Sequence, residues 1–145
     1  MRREISQGII YRNNKGFIEF LIIKRVPEDG GFWQAITGGI DNGESDIGAL
    51  RRELSEEVGI NNPLNISDCL EYYEWGDPKN GKCGRDHIFA VEVSYDTQVV
   101  VDKNEHSEFR WLQLEEAVAL LKHNGNKRSM YLAANTLKTS EVNSI

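Results

Sequence analysis

The chain has 145 residues, 39% hydrophobic and 28% charged, with a formal net charge of -6, which suits one domain with its own core and excludes a basic footprint for nucleic acid or an anionic membrane. The N-terminus MRREISQGII lacks the apolar core of a secretory signal, and no apolar run reaches membrane-spanning length. Two cysteines, Cys69 and Cys83, make neither a disulfide framework nor a CxxC metal site, so a cytoplasmic protein with reduced thiols is expected.

No repeat, low-complexity tract or linker divides the chain, and residues 1–145 read as one domain. Residues 4–11 (EISQGIIY) and 17–25 (FIEFLIIKR) are rich in Ile, Phe and Tyr and predict strands, with RNNKG between them as a hairpin turn. VPEDGG is a loop, and WQAIT (33–37) predicts one short strand running into Gly38 and Gly39. Residues 45–58 predict a helix: Ser45 serves as N-cap, Asp46 favours the first turn and Gly59 stops it. Strands are expected near 67–75 and 86–95, joined by the turn-rich GDPKNGKCG, and again at 108–112 (EFRWL). LEEAVALLKH (114–123) is amphipathic at helical spacing, and 127–138 predicts a last helix. Helices set between and after strands point to an α+β or mixed-sheet α/β sandwich.

The helix at 45–58 carries an unusual charge density. At 100° per residue, Glu57 lies about 40° and Glu56 about -60° from Glu53, so the three share an arc of roughly 100°. Ile47, Leu50, Leu54 and Val58 form the adjacent packing stripe, and Ala49 puts a small side chain among the carboxylates. A solvated acidic face is the bland explanation. Against it, Glu53 and Glu57 are like charges four residues apart, which costs a few tenths of a kcal/mol that a hard divalent cation would reverse.

The spacing decides between them. Gly38 is followed after five residues by Glu44, and seven residues later come Arg52-Glu53-Leu54, then Glu56-Glu57 and Gly59-Ile60. This resembles the Nudix hydrolase signature, GX5EX7REUXEEXGU with U aliphatic, at every defined position. The resemblance implies a Nudix fold, an α/β/α sandwich with a central mixed sheet and a loop–helix–loop motif. It implies Mg2+, with Mn2+ as a substitute, and attack of water at phosphorus in a diphosphate linkage. By match to the motif, Glu53, Glu56 and Glu57 are implied metal ligands, with Glu56 alternatively the base. Gly38 would offer its carbonyl to metal, Arg52 would orient the glutamates, and Glu44 would close the loop.

Outside the motif, the family often carries a glutamate on the loop before the last strand, as general base or extra ligand. Glu105 is the candidate here and Glu108 its rival, the alternative being an exposed loop residue. His106 reads as a polar loop residue rather than a ligand. Arg25 ends its strand where it can meet phosphate or solvent, with Lys24 the weaker choice. Trp33 is core or a stacking surface, and Gln34, Thr37 and Gly39 are candidate substrate contacts. Arg85, Lys127 and Arg128 read as solvated surface.

FWQAITGGIDNGES, EHSEFRWL and NKRSMYLAANTL resemble the subgroup that cleaves nucleoside triphosphates, dATP included, and dihydroneopterin triphosphate to a monophosphate and pyrophosphate. The partner is then a small nucleotide or pterin triphosphate, with neither nucleic acid nor membrane, and a homodimer is in keeping with the family. Two other readings stand beside it. One is a Nudix hydrolase of a dinucleoside polyphosphate or nucleotide sugar; the other is a non-catalytic nucleotide-sensing domain, which has no evident need for all three glutamates.

Overall fold

Strand β1 (Arg2–Asn14) is the spine of the fold in the computed structural model, which describes residues 2–143. It turns back through a hairpin, where Asn13 Oδ1 accepts from the Gly16 N–H at 2.8 Å, into β2 (Phe17–Arg25). After a 3-10 turn (Pro27–Asp29) come β3 (Trp33–Gln34), β4 (Ile36–Gly39) and helix α1 (Asp46–Val58). Then follow β5 (Asn65–Ile66), β6 (Glu71–Gly76), β7 (Cys83–Glu92), β8 (His106–Leu112), α2 (Leu114–Leu120) and α3 (Asn124–Asn143).

All eight strands join one mixed sheet. β1 runs parallel to β7 from Arg2↔Cys83 to Tyr11↔Glu92. Its other edge is shared: β4 pairs antiparallel with its first half (Ser6↔Gly38, Gly8↔Ile36) and β2 with its last residues. β2 in turn carries β3 and β8, and β7 carries β6 and β5.

The central strands β1, β2 and β7 are buried on both faces along their middles, so their apolar residues run almost without interruption there and alternate sides. Ile9, Phe20, Ile22, Ile88 and Ala90 point to one face, where Ala117, Val118, Met130 and Ala133 of α2 and α3 cover them. Ile10, Leu21, Ile23, Phe89 and Val91 point to the other, where Leu50, Leu54 and Val58 of α1 pack. The result is the expected α/β/α sandwich. No helix among the described residues is long and apolar enough to cross a membrane.

Boundaries differ from expectation where pairing partners change. The single strand expected at 33–37 is two, because Trp33 and Gln34 pair with β2 while Ile36–Gly39 crosses to β1. The strand expected near 67–75 begins later, as β6 at Glu71, and β5 at Asn65–Ile66 is a separate short strand; the two meet different ends of β7. The helix expected at 114–123 stops at Leu120, since Leu121 is extended and makes a bridge to Trp33, and α3 begins earlier than 127.

Candidate active site

Both caps of α1 form as its sequence dictates. Ser45 Oγ accepts from the Gly48 N–H at 2.9 Å, and Gly59, at φ 67°, closes the last turn onto Leu54 and Ser55. With the helix register fixed and Leu50, Leu54 and Val58 in the core, the glutamates separate. Glu53 and Glu57 are buried at the margin of the core stripe, 9% and 8% exposed. Glu56 is exposed and, among the described residues, pairs with Arg52 at 3.5 Å.

Glu53 lies across the backbone of β4. A Cβ added at Gly38 would sit 2.2 Å from the Glu53 carboxyl carbon, so glycine is what lets the carboxylate lie there. Arg52 braces the same corner. Its Nε and Nη2 donate to the two oxygens of Glu44 at 2.8 and 3.1 Å, Nη2 also to the Gly39 carbonyl at 2.9 Å, and Nη1 to Glu53 Oε1 at 2.7 Å. The guanidinium holds the Glu44 carboxyl down at about 2. Glu44 also accepts from the Asp41 N–H at 3.0 Å, which closes the loop ahead of α1.

The loop before β8 is tied to the end of α1. The N–H groups of Val100 and Asp102 donate to the carbonyls of Val58 and Glu57, each at 3.0 Å. Asp102 O then accepts from the N–H groups of Glu105 and His106, and the Glu105 carbonyl accepts from Val26 at 3.0 Å. This turn sets Glu105 and His106 against Glu57, with ligand atoms of all three within 4.8 Å of one another.

These elements enclose a cavity of 190 Å3 whose lining includes Arg25, Gln34, Thr37, Gly38, Glu53, Glu57, Glu105 and His106. Burial, then the hydrogen bond and charge of Glu105, push the Glu57 carboxyl up to about 8. Burial also raises Glu53, against the opposing pull of Arg52. Burial, with Arg25 nearby, lowers His106 against the opposing charges of Glu105 and Asp102. The Gln34 amide nitrogen lies 3.1 Å from His106 Nε2, and His106 Nδ1 lies 3.1 Å from Glu57 Oε2.

A divalent cation fits this arrangement. Glu57 Oε2 and His106 Nδ1 are buried without a hydrogen-bond partner among the described residues, and three carboxylates converge where they repel one another in the absence of positive charge. Carboxylate oxygens are the donors that Mg2+ and Mn2+ favour.

Of the residues expected from sequence, Arg25, Gln34, Thr37, Gly38, Glu53, Glu57 and Glu105 meet in this cavity. Arg52 stands behind it, and Gly39 contributes its carbonyl to Arg52. Trp33 is core, 9% exposed, with Lys24 and Arg110 over its ring. Glu108 sits outside, on β8 opposite Lys24. Arg85 pairs with Glu4, and Arg128 with Glu71. His106 was expected in a loop; it opens β8, is 2% exposed and lines the cavity. Its only sequence signal is adjacency to Glu105.

Gln34 and Thr37 also line a second cavity of 480 Å3, toward β6, β7 and the head of α3.

The family model described as NUDIX domain matches residues 2–134. A Myxococcus xanthus protein named octanoyltransferase is 34% identical over 110 residues, 76% of this chain and 30% of that protein, so the chain spans less than a third of its length. An RNA pyrophosphohydrolase of Pelagibacter ubique is 29% identical over 133 residues, covering 83% of this chain and 82% of its own. The solved structure of the Escherichia coli dihydroneopterin triphosphate pyrophosphohydrolase is 25% identical, with a TM-score of 0.75 over 88% of this chain and 91% of that one.

Proposed function

The chain belongs to the Nudix hydrolase family, whose members cleave phosphoric anhydride bonds, and from that premise we propose that it is a Mg2+-dependent pyrophosphohydrolase of a nucleoside triphosphate-type substrate. It releases a monophosphate and pyrophosphate. The observation that carries this reading is the convergence of Glu53, Glu57 and Glu105 in one cavity with Arg25 on its wall.

A bound divalent cation supplies charge neutralisation at the phosphate oxygens and lowers the pKa of its water. Glu53 and Glu57 would hold it, with Glu105 beside them. Arg52 keeps Glu53 in place, and Gly38 leaves room for it. His106 orients Glu57 from within the wall. Arg25, whose Nη2 pairs with Asp29 Oδ2 at 3.0 Å, would turn to meet a phosphate oxygen. Glu105, at the tip of its turn, takes the proton of the attacking water; Glu56, outside the cavity, does not.

The test is a Mg2+-supplemented screen of nucleoside triphosphates, dihydroneopterin triphosphate, 5′-triphosphorylated RNA, dinucleoside polyphosphates and nucleotide sugars, with products identified by mass. Monophosphate plus pyrophosphate is expected, lost on chelation and in Glu57→Gln. Orthophosphate as the only inorganic product, or undiminished turnover by Glu57→Gln, overturns the reading. The similarity to an RNA pyrophosphohydrolase favours one variant of it, in which the same linkage is cleaved at an RNA 5′ end.

A further inference from the structure

The 480 Å3 cavity lies in the usual range of small-ligand pockets, roughly 300–1,000 Å3. It adjoins the carboxylate cavity through Gln34 and Thr37. Tyr73 and Trp75 give it aromatic walls, the first residues of α3 form another side, and Asp86 of β7 is the carboxylate in its lining.

Asp86 is held by a relay of buried polar groups. Gln7 Nε2 donates to Asp86 Oδ2 at 2.9 Å, and Trp75 Nε1 donates to Oδ1 at 3.0 Å. Gln7, 1% exposed, accepts from Asn126 Nδ2 at 3.3 Å, and Asn126 Oδ1 accepts from the Ala35 N–H at 3.2 Å. Trp75 is itself fixed, because its ring fills the space over Gly84, where a Cβ would lie 2.3 Å from it. Burying an amide pair this deep inside an apolar face is unfavourable unless every member is satisfied. Here the satisfied chain fixes the aim of one carboxylate, and each of its oxygens keeps capacity for a second donor.

We propose that this cavity takes a heterocycle bearing a ring N–H beside an exocyclic amino group, the 2-amino-4-oxopyrimidine edge common to guanine and pterin, with Asp86 as the specificity-determining acceptor. The inference rests on the pyrophosphohydrolase reading only for what happens to the phosphates. An ionised carboxylate is acceptor-only and matches two parallel donors. Adenine sets a ring-nitrogen lone pair beside its amino group, so one oxygen of Asp86 would face a lone pair instead of a hydrogen. Tyr73 and Trp75 offer ring faces to any heterocycle and do not themselves discriminate.

The test measures kcat/KM with Mg2+ for GTP, dihydroneopterin triphosphate, ITP and ATP. In parallel, guanosine, neopterin and adenosine monophosphates are titrated calorimetrically into the same protein. The expected result is a preference of at least about tenfold for GTP or dihydroneopterin triphosphate over ATP, with ITP between them because it keeps the ring N–H and lacks the amino group. Affinities of the monophosphates should rank the same way. Asp86→Asn replaces one acceptor with a donor and should reduce the preference by about tenfold or more, with Mg2+ affinity unchanged. The rank of the guanine and pterin substrates tells which source of this edge the cavity takes. ATP favoured or equal in both measurements overturns the inference, and since that comparison uses the wild-type protein it holds even where Asp86→Asn fails to fold. Monophosphates ranked as expected without turnover of any triphosphate would leave the inference standing and remove the pyrophosphohydrolase reading. Turnover without discrimination would do the reverse.

Discussion

His106 Nδ1 and Glu57 Oε2 lie 3.1 Å apart in the wall of the carboxylate cavity, and neither makes a hydrogen bond among the described residues. Buried polar atoms left unmatched at this range mark a site completed by something the chain does not supply. With Glu105 beside them, a cation would satisfy them.

Protonation should therefore compete with metal. Glu57 titrates at about 8 in the folded protein, far above an ordinary glutamate. Between those values the native state carries a proton that the unfolded chain has lost, so the metal-free protein loses stability as pH rises through about 8. The lowered His106 acts with the opposite sign, but only below its ordinary value near 6.5. From about pH 7 to about pH 8.5 the melting temperature of the metal-free protein should fall. Mg2+ should raise it more at the upper end, where Glu57 is ready to bind. Calorimetric scans of wild type and Glu57→Gln test this; a melting temperature that climbs across the window without metal rules it out.

Glu56 and Glu105 should part company. Glu105→Gln is expected to lower kcat by about a hundredfold or more, with a smaller change in KM. Glu56→Gln, which removes only a 3.5 Å contact to Arg52 from an exposed position, should cost less than about tenfold. Steady-state kinetics on the substrate found by the screen would decide, and a reversed order would return the base to α1.

Gly38→Ala should leave the fold largely intact, because the obstructing group is the end of a flexible side chain. Glu53 would have to rotate away, and Mg2+ affinity should fall about tenfold or more. In a double-mutant cycle, Glu53→Gln on top of Gly38→Ala should add little, since both remove the same carboxylate. Fully additive losses of Mg2+ affinity would disprove the link.

Arg52→Lys keeps the charge and loses the fork. A lysine cannot serve both Glu44 oxygens, Glu53 and the Gly39 carbonyl together. We expect about a 10- to 100-fold loss in Mg2+ affinity or activity, which wild-type behaviour of this variant would contradict.

Helix α1 was legible because everything that defines it is local. Its caps, its apolar stripe and the shared arc of its glutamates follow from spacing along a few turns of helix, whereas the burial of Glu53 and Glu57 apart from exposed Glu56 depends on what packs over them. The approach of Glu53 to Gly38 is not local, yet the glycine in the motif already marked the place. His106 was missed for a physical reason. Its position depends on where β8 meets β2, and the register there shifts between Lys24 and Arg25. The break at Ala35 was hidden likewise, since WQAIT reads as continuous until its two halves choose different partners. Gln7 gave no sign within EISQGIIY of being the buried centre of a relay from α3 to β7.

That break at Ala35 has a geometric consequence. Gln34 and Thr37 stand on either side of it, and each borders both cavities. A molecule lodged in the two at once is gauged by the seam, which fixes how much chain separates its ring from the bond to be cut. For a substrate that spans both, the seam would act as a ruler, and a linker one phosphate too long or too short would bring the wrong phosphorus to the glutamates.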